Sequence, residues 1–139
     1  MLNSLQMALC DTQGQLFELA AERGYASETF IKEYMTSAVA ADMDKEFHHI
    51  QWAGKAYILS RMEDEFADQL VKVGEIYDKE ALYWMGYIYR YWHFYTDENS
   101  REIYKQAPAK TMNVVYLMYH TMSPEMAIDR LREAYEKNQ

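Results

Sequence analysis

Cysteine occurs once in the 139 residues, as Cys10. No internal disulfide can form and no cysteine-based zinc site can be built, so the fold has to rest on its core. A single thiol suits a reducing cytoplasm, which is the expected location. Proline (two) and glycine (five) are also scarce. So few breaks favour helices over many short strands. No apolar run approaches the roughly 18 residues a membrane span needs. The first stretch, "MLNSLQMALCDTQGQ", lacks the positive start and continuous apolar run of a secretory signal. There is no glycine-rich phosphate loop, no Walker-type Lys-Ser/Thr and no linker or low-complexity tract.

Positive charge is the other shortage. Twenty-two acids face 14 bases, a net charge of −8. Residues 1–40 hold five acids and two bases, residues 41–80 ten and five, and residues 81–139 seven of each. A phosphate backbone repels such a chain, which argues against direct nucleic-acid binding. A basic protein partner would be drawn to it instead. The same charge also serves plain solubility.

Half the residues are apolar, and their spacing is helical. Leu2, Leu5, Leu9, Thr12, Leu16 and Leu19 step by three and four up to Gly24. This seam over residues 1–24 either packs within its own chain or seals a homodimer. Ser27 reads as a helix cap, followed by a face of Phe30, Ile31, Tyr34, Met35, Ala38 and Val39. The next pattern predicts a helix from about Asp44 to Val73, closed by Gly74. Asp78 then caps the aromatic segment, Ser100 caps a short helix, and Pro108 opens another. "SPE" at 123–125 starts the last helix, with Ser123 as cap and Pro124 at its first position. The expected fold is all-α: one compact domain over 1–139, a bundle of six or seven helices around a central aromatic one.

That central element is "ALYWMGYIYRYWHFY", Ala81 to Tyr95, in which eight of 15 residues are Tyr, Trp or Phe. Near alternation of aromatics is a β signal. The length, the helical neighbours and the absence of any turn favour a helix. As a helix it carries Tyr83, Gly86, Arg90 and His93 on its more polar side, which faces solvent, a neighbouring helix or a partner. Base stacking would want a positive groove, yet Arg90 is the only base between Lys79 and Arg101.

No catalytic set or cofactor site converges. Glu46 and His49 have Glu-x-x-His spacing, but the second copy that a di-metal bundle needs is missing, so no metal is expected. Glu63, Asp64, Glu65 and Asp68 form an acidic patch, either a solvated face or a docking patch for a basic partner. Tyr87, Arg90, Tyr91, Trp92 and His93 are candidate anchors, since Tyr, Trp and Arg dominate interfaces.

The stretch "ENSREIYKQAPAKTMNVVYLMYHTMSPEMAIDRLREAY", with Tyr104, Tyr116, His120-Thr121 and Ala127-Ile128-Asp129, resembles the C-terminal part of small bacterial antitoxin-like proteins. These are encoded beside ADP-ribosyltransferase-like toxins. "LYWMGYIYRYWHFY" is similar to their preceding aromatic helix, and "IQWAGKAYIL" to a recurrent piece of small proteins from such operons. The resemblance implies a non-enzymatic protein-binding module, with Tyr116, His120 and Thr121 serving either structure or the interface. Two alternatives stand beside it. One is an acidic phage or mobile-element inhibitor of a host nuclease or defence protein, mimicking nucleic acid. The other is a ligand binder or small enzyme with a pocket of Tyr87, Tyr91, His93 and Arg90.

Overall fold

A computed structural model describes residues 2–139, and among them the chain is helical throughout, with no strand. The order is α1 (Ser4–Glu22), α2 (Ser27–Met35), α3 (Ala38–Met43), a 3-10 turn (His49–Trp52), α4 (Lys55–Phe66), α5 (Lys79–Thr96), α6 (Ser100–Gln106), α7 (Ala109–Tyr119) and α8 (Pro124–Lys137). The all-α expectation holds, with eight helices rather than six or seven. No helix is long and apolar enough to cross a membrane among the described residues.

The aromatic segment is α5 and is central: α1 lies against it, and α6, α7 and α8 also pack on it. Its Tyr83–Gly86–Arg90–His93 side, the more polar one in sequence, faces α1 rather than solvent. The Tyr83 hydroxyl donates to Asp11 Oδ1 at 2.5 Å, and Gln13 Nε2 donates to the Gly86 carbonyl at 2.9 Å. Two glycines let the backbones touch. A Cβ on Gly86 would stand 2.5 Å from the Gln13 carbonyl oxygen and 2.8 Å from Gly14 Cα. A Cβ on Gly14 would strike the Tyr83 ring and its carbonyl at 2.7–2.8 Å. Gly14 therefore sets the crossing. Phe17, one turn on, meets Phe30 and Tyr34 of α2 and Tyr89 of α5 edge-to-face at 5.8–6.2 Å.

The leucine seam is rotated by this contact. The residues α1 buries are Leu9, Cys10, Gln13, Gly14, Leu16, Phe17 and Ala20, whereas Leu5 is exposed. Leu9 and Leu16 are spent on the chain's own core, so Leu2–Leu19 does not form one open strip. The helix expected from Asp44 to Val73 is also interrupted. His48 Nδ1 accepts from Ile50 N and starts the 3-10 turn. Gly54, at φ 93°, then redirects the chain into α4, which ends at Phe66. The periodicity reads through this break because Ile50, Ile58, Met62 and Leu70 are all buried.

Two expected caps have other work. Ser27 Oγ accepts from Tyr77 N at 3.0 Å, while Ala26 N and Ser27 N donate to Val71 O and Glu75 O. This ties the irregular 67–78 segment to the start of α2. At α6 the cap is Asn99, in a reciprocal box with Glu102. Ser123 caps α8 as expected, accepting from Met126 N.

Helix propensity alone would make Gly86→Ala stabilising by about 1 kcal/mol. The backbone contact predicts the opposite sign, a loss of about 1–3 kcal/mol or more. Urea unfolding should show a lower midpoint with an unchanged slope.

Candidate functional site

Arg90 is fully buried. Its Nη1 donates to Asp44 Oδ1 at 2.6 Å, its Nε and Nη2 to Gln13 Oε1 at 3.2 and 2.9 Å, and Nη2 also to Ser100 Oγ at 3.3 Å. Gln13 Oε1 accepts from the Tyr34 hydroxyl as well, at 2.8 Å. Asp44 in turn accepts from Ser100 Oγ at 2.7 Å and Ser100 N at 2.8 Å. One node thus joins α1, α2, the end of α3, α5 and α6. Burial in this core pushes the Tyr34 phenol up to about 12. It does the same to the Cys10 thiol, also to about 12, so Cys10 is no thiolate at neutral pH. Arg90 is a structural keystone, which corrects its placement among exposed anchors.

Two hollows open along α5, one against its first half and one at its end. The first, of about 360 Å³, lies between α5 and α7 and is lined by Tyr83, Trp84, Tyr87, Tyr116, His120 and Pro124 among others. Trp84 meets Tyr116 edge-on at 5.7 Å, and the His120 ring stacks on Tyr116 at 4.6 Å. His120 Nδ1 lies 2.8 Å from the Tyr116 carbonyl, closing the last turn of α7. Away from the groove residues Tyr116 and His120, α7 turns an apolar stripe outward: Val114, Leu117 and Met118 are 71%, 78% and 63% exposed. Thr121, one turn further, is exposed too.

The second hollow, of about 490 Å³, lies between the start of α1, the 44–52 segment and the end of α5. Asp44 and His93 reach it from the buried node, and Leu5, Phe47, Trp52 and Phe94 line it. His93 Nδ1 sits 2.7 Å from the Glu98 carbonyl. A carbonyl only accepts, so Nδ1 carries a hydrogen in this contact.

The expected site residues therefore divide. Tyr87, Tyr116 and His120 converge on the α5–α7 groove, with Thr121 beside it. His93 belongs to the other hollow, so the pocket of Tyr87, Tyr91, His93 and Arg90 does not exist as one cavity. Trp92 and Tyr91 are buried and are not exposed anchors. Trp92 Nε1 donates to Glu98 at 2.8 Å, and the Tyr91 hydroxyl donates to Glu125 at 2.5 Å, tying α5 to α8. Of the acidic patch, Glu63 accepts from the Tyr25 hydroxyl and Glu65 pairs with Arg61. Asp64 is exposed on α4, and Asp68 lies in the turn beyond its end, so the two are not neighbours on one helix. Glu46 is likewise outside any helix, which removes the helical geometry from the Glu46–His49 spacing.

Sequence reasoning missed Asp44, Gln13 and Ser100, whose partners are distant in the chain. It also missed the α7 stripe. Its signal was present: α7 is apolar almost all round, yet lies at the surface. No family model, curated protein or solved structure matches the chain, so the reading of its function rests on this geometry.

Asp44→Ala leaves the buried guanidinium unpaired and should cost about 3–5 kcal/mol in chemical unfolding, and Asp44→Leu with Arg90→Met should recover much of it. Stability should also fall at both pH extremes. The Tyr91 hydrogen bond holds the Glu125 carboxyl below its ordinary value, and the Lys45 hydrogen bond does so for Asp42. A depressed carboxyl contributes fully above its unfolded pKa and loses the contribution as pH falls through the folded one. The raised Cys10 and Tyr34 groups contribute below their unfolded values and lose this as pH rises toward about 12. Melts across pH should show a plateau from about pH 5 to 9, and Glu125→Gln should flatten its acid edge.

Proposed function

We propose that the chain is a non-enzymatic protein-binding module that neutralises a toxin-like enzyme by direct contact. Its docking face is the α7 stripe together with the α5–α7 groove. The observation that carries this reading is the stripe itself. Val114, Leu117 and Met118 stand at i, i+3 and i+4, more than 60% exposed, on the helix that also supplies Tyr116 to the aromatic hollow. Exposed apolar surface of this kind marks an interaction site, because leaving it in water costs free energy that a partner recovers.

Affinity and steering have separate origins here. The groove offers aromatic walls into which one apolar anchor can insert. The acids of residues 41–80, net −5, include exposed Asp64 and Asp68, and α4 packs on α1 and α3 rather than α7. They attract a basic partner from a distance rather than touching it at the groove, so they raise the association rate more than the affinity. The likeness of the C-terminal third to antitoxin-like proteins supports the same partner class.

The test is co-purification with the product of the adjacent gene at low and high salt. A complex should form at low salt, and Leu117→Glu/Met118→Glu should abolish it without changing the thermal melt. Asp64→Asn/Asp68→Asn should slow association at low salt only, because ions screen such charges beyond about 10 Å at 0.1 M. No complex at low salt, or one indifferent to the α7 substitutions, would sink the reading.

A further inference from the structure

The hollow beside α1 touches the core node only at Asp44 and His93 and is separate from the docking face, and its charged lining is mostly acidic: Asp44, Glu46 and Asp97 against Lys45. Asp44 Oδ1 already accepts from Arg90 and Ser100 Oγ, and Oδ2 accepts only from Ser100 N. A carboxylate oxygen takes two donors, so Oδ2 retains one acceptor position. His93 Nε2 has no hydrogen-bond partner among the described residues. Gln51 Nε2 donates to Met43 O and Lys45 O, which leaves its carbonyl oxygen as a further acceptor. Glu46 and Asp97 add two carboxylates without an ion-pair partner among the described residues. The one base in the lining, Lys45, is held 2.9 Å from Asp42. The Asn3 and Gln6 side-chain oxygens accept from each other's backbone N–H in the cap of α1, which leaves their amide NH2 groups as donors at one rim. The opposite side of the hollow, with Asp44, Glu46, Gln51 and Asp97, offers acceptors.

Its remaining walls are apolar: Leu5 and Leu9 of α1 with the rings of Phe47, Trp52 and Phe94. Phe47 is 85% exposed and Trp52 56%. Aromatic faces next to carboxylates bind cations, the ring quadrupole and the charges acting together. We infer that this hollow is a binding site for an organic cation, an ammonium or guanidinium carried on an apolar stem. The N–H donors meet Asp44 Oδ2, Gln51 Oε1 and the Glu46 and Asp97 carboxylates, and the stem lies between Phe47 and Trp52. Arg90 behind Asp44 holds that carboxylate in place. The source of the cation is a free amine or an arginine or lysine side chain of a protein. This site is distinct from the α7 face, so the two readings stand or fall separately.

The full chain is titrated with 2-phenylethylamine, its neutral counterpart 2-phenylethanol, and acetyl-arginine methylamide, following the three tryptophan indole N–H resonances by NMR. The amine or the guanidinium should bind saturably and shift Trp52, not Trp84. The alcohol should bind about tenfold weaker or worse, a difference of about 1.4 kcal/mol. Phe47→Ala and Glu46→Gln/Asp97→Asn, all at exposed positions, should each weaken binding several-fold with the melt unchanged, and Leu117→Glu/Met118→Glu should not affect it. Tighter binding of the arginine compound assigns the site to a protein side chain, and tighter binding of the amine to a free ligand. Equal affinity for the alcohol, shifts at Trp84 instead of Trp52, or no saturable binding of either cation would overturn the proposal.

Discussion

A guanidinium with no exposed surface persists only where its charge and its N–H groups are met inside the protein. Arg90 imposes that constraint here. Its neutralisation requires Asp44, which lies just past α3. Its other donors require Gln13 of α1 and Ser100 of α6, and Gln13 cannot reach it unless the α1 and α5 backbones touch at Gly14 and Gly86. The node thus specifies the docking of α1, the end of α3 and the start of α6 in one arrangement. An apolar core of equal size would stabilise the contact without specifying it so narrowly.

The rest of the molecule follows from what this crossing consumes. One flank of α5 is given to α1, and the aromatic residues elsewhere on α5 meet α6, α7 and α8. Tyrosines spend their hydroxyls as ties: Tyr83 to Asp11, Tyr89 to the Ala107 carbonyl, Tyr91 to Glu125 and the exposed Tyr95 to Asp129. The aromatic richness is therefore mostly cross-bracing. What α5 does not use internally appears at two edges, as the α5–α7 groove and as His93 at the floor of the α1 hollow. Opposite chemistries result: an apolar face suited to a protein, and an acceptor-lined recess suited to a cation.

Much of this was legible in the chain. Helical spacing, the scarcity of proline and glycine, and the Ser123-Pro124 start all point to a helical bundle, and the length of 81–95 marks α5 as its axis. Polarity misled where it was read as exposure. What Arg90 faces stays open in the sequence because its partners are more than 40 positions away or on another helix, and local periodicity carries no information about such pairs. The need for Gly14 is hidden for the same reason, since it is the approach of Gly86. Ser27 and Ser100 fit capping rules, yet their hydroxyls are claimed by Tyr77 and Asp44. The break at Gly54 was hidden because apolar residues continue in step on both sides of it. Of the candidate residues, Tyr87, Tyr116 and His120, read as parts of two separate groups in the sequence, line one groove, while Phe47, Trp52 and the α7 stripe emerge only once the core has been assigned.

The central claim is that Arg90 is locked in a closed, neutralised node. Its Nε–H can be observed directly by NMR in a uniformly labelled sample. Of the six arginines, one should show a sharp Nε–H resonance whose exchange with water is far slower than the rest. That resonance should vanish in Arg90→Lys and collapse to the solvent-exposed behaviour in Asp44→Asn. Six arginines with uniformly rapid exchange, or a slow resonance that survives Arg90→Lys, would contradict the account.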